Sequence, residues 1–370
     1  MKERIHWIDI SKGIAIILVV IGHVISSYHQ AGLYNDSHLF NFTTQFIYSF
    51  HMPLFMIISG YLSGLRKPKG TKIQQIIQYL INYGIPYIIF SVVWVLMKMI
   101  MANYTNTKSS VFELFEIMWF PVSFMWFIFA LMIMQIIQVI VSSSNKIFKL
   151  IHLLIALAGY FVRPFLVSWF KNLRFSDCIL NDFLRTYVFY LIGIYVTEFV
   201  IKILDNYKIP ITIISGVLLI SENVLVYFYT DLLNSTYLYF VLSFVFALVG
   251  CLFVIYLSKI IKHFNILEYL GKQSLPIYVL QGLAIAVTRL LLTKLNLNVA
   301  WGILPLVVCT IAGCLIPLCV YWITKKIWKL ELCFYPQKYI RIISSDVKDK
   351  KAILNSSSGK SIASKNKNEK

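Results

Sequence analysis

The chain has 370 residues, of which 59% are hydrophobic and only 14% are charged, and its mean hydropathy is +0.74. A soluble globular domain averages about 45–50% apolar and about 25% charged residues. This composition excludes a water-soluble enzyme, a secreted disulfide domain and a disordered protein, because a soluble core cannot bury so much apolar surface. The formal net charge is +18. In a membrane protein such an excess marks the cytoplasmic loops, so no nucleic-acid partner is needed to explain it.

The six cysteines do not form a pattern typical of disulfides or of a metal site. Cys309, Cys314 and Cys319 lie within one apolar run, where cysteine serves as a small apolar residue. The sequence contains no CxxC motif and no His/Cys spacing typical of zinc, so we expect no metal. The first apolar run lacks a small-residue cleavage site, which favours a retained helix over a cleaved signal peptide.

Apolar runs of the length that crosses a bilayer, roughly 20 residues, recur along the whole chain. They predict an all-α, polytopic membrane protein with about ten transmembrane helices. The predicted spans, in chain order, are 8–28, 44–64, 76–101, 119–141, 147–166, 183–204, 209–228, 236–258, 273–292 and 299–324. We expect this membrane domain to cover 1–335 and a basic, disordered tail to cover 336–370, since the tail is rich in Ser, Lys and Asn and has no periodicity.

The distribution of Lys and Arg predicts the orientation in the membrane. If the N-terminus is cytoplasmic, the inner segments hold 25 of the 34 basic residues and the outer segments hold seven. The positive-inside rule therefore places both termini in the cytoplasm. The first outer loop, 29–43, has no Lys or Arg, which supports the same orientation. We expect a multi-pass protein of the cell membrane, with the lipid bilayer as its first partner.

The first predicted span carries two ionisable residues on one face. Lys12 and His23 are eleven residues apart, an offset of about 20° beyond three full turns, and are separated by about 16 Å along the axis. Asp9 precedes Lys12 by three residues and is in reach to pair with it. Ionisable residues inside a span are costly and mark functional sites by default. A hydrogen-bonded structural His and a Lys that extends to the interface are the alternative interpretation.

The second span contains the sequence FHMPLFMIISGYL. His51 lies in its outer half, where a catalytic role and a structural hydrogen bond are both open. Ser59, Gly60 and Gly64 lie further along, where small residues permit close contact between helices.

Other polar and aromatic residues within spans are harder to assign. In the fourth span Trp126 is flanked by aromatics, which alone is typical of an aromatic belt or a core. Glu198, Glu222 and Arg289 are intramembrane charges for which the sequence identifies no partners. The motifs of soluble hydrolases and acyltransferases, such as GxSxG, HxxxxD and HExxH, are missing.

Four elements together resemble the acyltransferase-3 family of integral-membrane acyltransferases. The segment from Lys12 to His23 matches the family's basic residue, ten intervening residues and His. The segment 50–62 matches a FHMPLFFFLSGYL-like second helix, 126–131 matches a WFL-like element, and 270–278 matches an L-G-x-x-S-L-x-I-Y-like stretch. The order is that of the family, and the resemblance is strongest to the branch of fucose 4-O-acetylase-like and surface-polysaccharide O-acetyltransferases.

The chain departs from the family pattern at two places. Many relatives end the last element with His, where this chain has Gln281. Many also carry Arg shortly before an I-P-Y element in the third helix, where this chain has Gln78 and Asn82. Any role of that His passes to Gln281 or is absent, and a donor-phosphate contact in the third helix is put in doubt.

The resemblance implies an O-acyltransferase that moves an acetyl group from acetyl-CoA to a hydroxyl of a surface or lipid-linked glycan. His23 would be the general base or would carry the acyl group, with His51 as a second catalytic residue. On the cytoplasmic side Lys12 and the basic loop 66–72 would attract the donor phosphates, with Asp9 beside Lys12 in the donor site, and three other residues would bind the acceptor. The donor residues are Lys12, Asp9 and Arg66, the last in the basic loop 66–72, and the acceptor residues are Trp126, Tyr278 and Gln281.

A transporter or flippase of a polysaccharide precursor is the competing class. It also predicts many spans, intramembrane charges and broken helices. The Lys12–His23 stripe with the second-helix motif, and the absence of a detectable inverted repeat in the sequence, favour the enzyme.

Overall fold

The computed structural model describes residues 5–33, 37–66, 69–100, 110–142, 145–170, 176–229, 237–297, 301–327 and 329–340. These residues form a helical bundle, and no strand occurs among them. The α-helices in chain order are α1 (His6–Gln30), α2 (His38–Gly64), α3 (Lys72–Tyr79), α4 (Ile85–Ile100), α5 (Glu113–Glu116), α6 (Trp126–Val141), α7 (Lys146–Trp169), α8 (Leu184–Tyr195), α9 (Thr197–Leu204), α10 (Lys208–Phe228), α11 (Tyr237–Ile261), α12 (Asn265–Lys272), α13 (Ser274–Lys294) and α14 (Leu304–Lys326).

The all-α, polytopic fold predicted from the sequence is confirmed. Nine helices among the described residues are long and apolar enough to cross a membrane, one fewer than the ten predicted spans. The difference lies in the predicted span 183–204, where the helix is interrupted at Val196 and α9 continues toward α10. The apolar run is continuous in sequence, so the hydropathy pattern does not reveal this interruption.

Helix α1 lies at the centre of the bundle. It packs against α2, α11, α12, α13 and α14. The outer helices expose large apolar side chains, such as Ile155 of α7 at 65% and Ile213 of α10 at 60%. A lipid environment removes the cost of these exposed groups, so the pattern of exposure is the one expected of a membrane bundle.

One end of the bundle, here called the N-terminal face, carries the beginning of α1. The end of α2 reaches the same face, since the Trp7 and Tyr61 rings lie 5.6 Å apart. The beginning of α13 lies there as well, because Gly271, three residues before α13 begins, packs against the Asp9 carbonyl near the start of α1. If the predicted orientation holds, the N-terminal face is cytoplasmic.

Glycines bring two pairs of helices into backbone contact. A Cβ added at Gly60 of α2 would collide with the Tyr190 carbonyl of α8, and one added at Gly193 would collide with the Ile57 carbonyl. The predicted close helix contact at Gly60 is therefore confirmed. On the N-terminal face, a Cβ at Gly13 of α1 would collide with a backbone carbonyl of α12 in the same way. These contacts fix the position of α1 relative to α12 and of α2 relative to α8.

The segment that follows α14 is held by one buried carboxylate. Glu331 accepts hydrogen bonds from the Tyr321 hydroxyl at 2.6 Å and from the Lys338 ammonium at 2.5 Å. Burial raises the pKa of Glu331, but the bonds from Lys338 and Tyr321 outweigh it and leave this pKa below its usual value. The helical turn Pro336–Lys338 belongs to the same segment, so the first residues of the predicted tail are ordered. The remainder of that tail, 341–370, lies outside the described residues.

Candidate active site

His23 lies on the inner face of α1. The helix runs without interruption from His6 to Gln30, so Lys12 and His23 share one face as the spacing predicts. The two residues on that face between them, Ile16 and Val19, are 0% and 2% exposed. The His23 ring meets the edge of the Phe124 ring, with the ring centroids 5.4 Å apart. The stripe therefore faces the bundle interior, with His23 against an aromatic side chain.

His51 of α2 is buried, at 4% exposure, and its ring orientation is fixed by one hydrogen bond. Its Nδ1 lies 2.7 Å from the Ile47 carbonyl oxygen, one turn earlier. A carbonyl only accepts, so Nδ1 carries the proton and Nε2 keeps a lone pair. His51 also lies within electrostatic range of His23, since α1 and α2 meet where Gly22 packs against Ile47 and Tyr48. The structure thus brings the two predicted catalytic histidines into one region.

An aromatic group links His23 to α4 and α13. We call it the Phe124 cluster, and it consists of Phe124, Trp94, Phe127 and Tyr278. The Phe124 ring lies 5.1 Å from Trp94 and 5.7 Å from Tyr278, and the Tyr278 hydroxyl donates to the Phe124 carbonyl. Ser123 has φ +51°, a left-handed conformation that is rare for a residue other than glycine. This turn aims Phe124 into the interior ahead of α6, between His23 and Tyr278.

Several buried polar atoms beside this cluster have no hydrogen-bond partner within the described part of the chain. These atoms include both polar atoms of the Gln281 amide, a residue that is 0% exposed. They also include Trp94 Nε1 and Ser91 Oγ. Gly282, the next residue on α13, lies against Phe124 and Trp94. A buried polar group without a partner costs about 1–3 kcal/mol. Such groups are typical of sites that bind a polar ligand or ordered water.

A polar network at the N-terminal face surrounds Arg66. Its guanidinium lies within electrostatic range of the hydroxyls of Tyr79 and Tyr83. Tyr83 also lies near Gln135 of α6, whose amide oxygen accepts from the Ser63 hydroxyl at 3.2 Å. Tyr83 lies in a π-helical turn, Leu80–Gly84, an irregularity that is frequent at functional sites. Within the predicted basic loop, Arg66 thus lies near two tyrosines and Lys72 donates to the Ile140 carbonyl at 3.1 Å, whereas Lys67 lies outside the described residues.

The remaining donor and acceptor predictions are placed as follows. Asp9 is buried at 8% exposure, and its backbone carbonyl packs against Gly271 of α12. Lys12 is half-buried one turn further along α1. Trp126 begins α6 and is half-buried, but the ring that contacts His23 belongs to Phe124, two residues earlier.

Sequence reasoning missed Phe124, Trp94 and Ser91. Phe124 was present only as an aromatic neighbour of Trp126, and no pattern distinguished Trp94 or Ser91 from other residues of an apolar span. Their significance comes from α4, α6 and α13 meeting at one place, which hydropathy does not reveal.

The intramembrane charges that lacked partners in the sequence fall into two groups. Glu198 pairs with Lys202 one helical turn later, at 2.9 Å, on the exposed side of α9. Glu222 and Arg289 each have one buried polar atom with no partner among the described residues. Glu198 is therefore part of a surface ion pair, and the other two stay unassigned.

Comparison with known proteins identifies the family to which the chain is related. The family model described as "Acyltransferase domain", that of the acyltransferase-3 family, matches residues 5–319. The chain is 30% identical over 142 residues to Nodulation protein NolL of Mesorhizobium japonicum, covering 38% of this chain and 36% of that protein. It is 51% identical over 57 residues to Nodulation protein NolL of Sinorhizobium fredii, covering 15% of this chain and 14% of that protein. The matches thus span about a third or less of these relatives, and no solved structure matches the chain.

Proposed function

The chain belongs to the acyltransferase-3 family of membrane acyltransferases, and on this basis we propose that it moves an acetyl group from acetyl-CoA to a hydroxyl of a cell-surface or lipid-linked glycan. The observation that carries the proposal is the position of His23. Its imidazole lies against Phe124, and the Phe124 ring packs against α13 beside the unpartnered amide of Gln281. A base next to buried hydrogen-bonding groups is the arrangement that activation of a hydroxyl requires.

The proposed donor site lies toward the N-terminal face. Acetyl-CoA carries several negative charges, which Arg66 and Lys12 would attract if this face is cytoplasmic. Arg66 is exposed and lies within electrostatic range of Tyr79 and Tyr83, so its guanidinium is accessible to the donor. The family's Arg in the third helix is replaced here by Gln78 and Asn82, which bond each other at 2.8 Å. We therefore assign the phosphate contact to Arg66 instead of to the third helix.

In the proposed reaction His23 removes the proton of the acceptor hydroxyl as its oxygen attacks the thioester carbonyl. The carbon–sulfur bond then breaks, and the CoA sulfur leaves and takes up a proton. The lone pair on Nε2 of His51 makes it a second base or a hydrogen-bond acceptor for the same hydroxyl. The unpartnered amide of Gln281 and indole N–H of Trp94 are suited to binding hydroxyls of the acceptor. Since its hydroxyl donates to the Phe124 carbonyl, Tyr278 acts in this proposal by positioning Phe124.

The test is mass spectrometry of the surface glycan from a strain that lacks the protein. Reintroducing the wild-type chain is expected to restore the acetyl mass increment, and the His23→Ala variant is expected not to do so. His38→Ala is the matched control, because His38 is exposed on α2 and lies outside the site. Full acetylation by His23→Ala at equal membrane abundance would contradict the catalytic assignment.

The same experiment distinguishes the transporter. A flippase predicts loss of surface glycan in the deletion strain and no acetyl group in either strain. An acyltransferase predicts surface glycan in both strains, with the acetyl group present only when the wild-type chain is present. Retention of an acyl group on the purified protein in the absence of acceptor would favour the covalent acyl-His route over direct transfer.

A further inference from the structure

Two histidines and a glutamate from separate segments meet on the N-terminal face, away from the proposed active site. His6 is the first residue of α1, His263 lies between α11 and α12, and Glu268 lies in α12. His6 Nδ1 is 3.1 Å from one Glu268 carboxylate oxygen, and His263 Nδ1 is 3.4 Å from the other. One ligand atom from each residue lies within 4.8 Å of the other two. We propose that His6, His263 and Glu268 bind a divalent transition-metal ion, with Zn²⁺ as the best match.

The separations agree with tetrahedral coordination. Nitrogen and oxygen ligands lie about 2.0–2.1 Å from Zn²⁺, which places neighbouring ligand atoms roughly 3.3–3.4 Å apart. The distances of 3.1 Å from His6 and 3.4 Å from His263 are close to this value, but each runs to a different Glu268 oxygen, so coordination through one oxygen requires side-chain rotation. The His6 and His263 rings are nearly perpendicular, with centroids 4.2 Å apart, so the two imidazoles approach one point from different directions. The ligand atoms thus already lie within 4.8 Å of one another before an ion binds.

The chemistry of the three ligands favours zinc over magnesium or calcium. Imidazole suits zinc and related transition metals, whereas magnesium and calcium prefer oxygen ligands. Glutamate has an ordinary pKa of about 4.3, so at neutral pH it is a carboxylate, the form that binds a metal. Three protein ligands leave a fourth position for water. The His6 and His263 side chains are 45% and 67% exposed, so an ion has access from solvent.

One nearby cation opposes metal binding. The Lys272 ammonium lies 3.4 Å from the Glu268 oxygen that also faces His6. A divalent ion must displace this ammonium, so Lys272 lowers the affinity of the site. Removing the charge of Lys272 is therefore expected to tighten metal binding. A cluster held together only by hydrogen bonds from the imidazoles to Glu268 predicts no such effect on a metal.

The consequence of the site is a link between α1 and α12. These helices already touch where Gly13 and Gly271 face each other's backbone. A metal held by His6 of α1 and Glu268 of α12 fixes the beginning of α1, three residues before Asp9 and six before Lys12. The ion is thus structural and does not depend on the acyl-transfer chemistry.

The test uses the full chain in detergent, free of any histidine tag and stripped of metal. Titration with Co²⁺ is expected to give the visible spectrum of tetrahedral cobalt with one ion per chain, and Zn²⁺ is expected to displace it. His263→Ala is expected to weaken Zn²⁺ binding at least about tenfold, the smallest loss typical of disturbing a zinc site. Since His263 is exposed, this variant is expected to fold normally.

Three further variants complete the experiment. Glu268→Gln is expected to abolish the tetrahedral spectrum, Lys272→Met to tighten Zn²⁺ binding, and His38→Ala to change neither. Absence of saturable Zn²⁺ binding would overturn the proposal. Binding that is equally tight in His263→Ala and Glu268→Gln would also overturn it, because the ion would then lie elsewhere. Glycan acetylation is not the readout, so failure here leaves the proposed function untouched.

Discussion

His51 has two ring nitrogens with separate roles, which a single substitution can distinguish. Nδ1 donates to the Ile47 carbonyl, while Nε2 is the atom that the proposed chemistry uses. The amide nitrogen of Asn occupies nearly the position of Nδ1, but Asn has no atom at the position of Nε2. His51→Asn therefore retains the bond to Ile47 and removes the base. His51→Ala removes both.

The two roles predict effects of different size. The Ile47 carbonyl also accepts the helical bond from the His51 backbone N–H, so losing the Nδ1 bond orphans no acceptor and costs only about 0.5–1.5 kcal/mol of stability. Loss of a general base lowers the rate about 10²–10⁴-fold, which is about 2.7–5.5 kcal/mol of activation free energy. We expect His51→Asn to match the wild type in thermal stability and to lose about 10²–10⁴-fold in acetyl transfer.

The assay measures both quantities on the same preparation. Thermal unfolding in detergent gives the stability, and transfer of labelled acetyl from acetyl-CoA to glycan gives the activity. Activity of His51→Asn within about threefold of the wild type would refute the reasoning, since a retained bond and retained activity mean a structural histidine. His38→Ala controls for the loss of an imidazole from α2.

Four other outcomes follow from the structure. Gln281→Met removes two buried atoms that have no partner among the described residues, so we expect equal or higher thermal stability but lower acetyl transfer. Unchanged activity would exclude Gln281 from the site. Gly60→Ala forces α2 away from α8 and is expected to cost at least about 1–3 kcal/mol, whereas Gly84→Ala, with room for a Cβ, is expected to cost little in the same melting experiment. The pKa of Glu331 is lowered in the folded chain, so its carboxylate stabilises the segment 329–340 at neutral pH. As the pH falls below about 4.3, the ordinary pKa of glutamate, and then through the lowered pKa of the folded chain, this segment is expected to lose protection from hydrogen exchange. Glu331→Gln is expected to abolish this pH dependence. Lys12→Ala is expected to raise the KM for acetyl-CoA and Lys12→Arg to preserve it; an equal loss in both variants argues against a phosphate contact.

The fold class could be predicted because it depends on composition and local periodicity. Runs of apolar residues identify spans in any context, and glycines such as Gly60 indicate close helix contacts before the partner helix is known. The interruption at Val196 could not be predicted, since α8 and α9 form one apolar run. Helix ends inside a bundle depend on packing against neighbours, and the sequence of one helix does not contain that information.

The candidate site was predictable only where its residues lie on one helix. Lys12 and His23 are related by helical geometry alone, so their common face follows from the spacing. Phe124 reaches His23 through a left-handed turn at Ser123, and Trp94 arrives from a different helix. The cluster of His6, His263 and Glu268 escaped detection for the same reason, because its members are 257 and five residues apart in sequence and meet only through the packing of α1 on α12.

The most direct measurement of the central claim is acetyl transfer by the purified chain in lipid nanodiscs. Labelled acetyl-CoA is supplied with glycan from a strain that lacks the protein, and the label on the glycan is counted. Transfer is expected from the wild type and His38→Ala, and none above background from His23→Ala. Equal transfer by His23→Ala would contradict the catalytic role of His23. So would no transfer by a wild-type protein that a cooperative thermal unfolding transition shows to be folded.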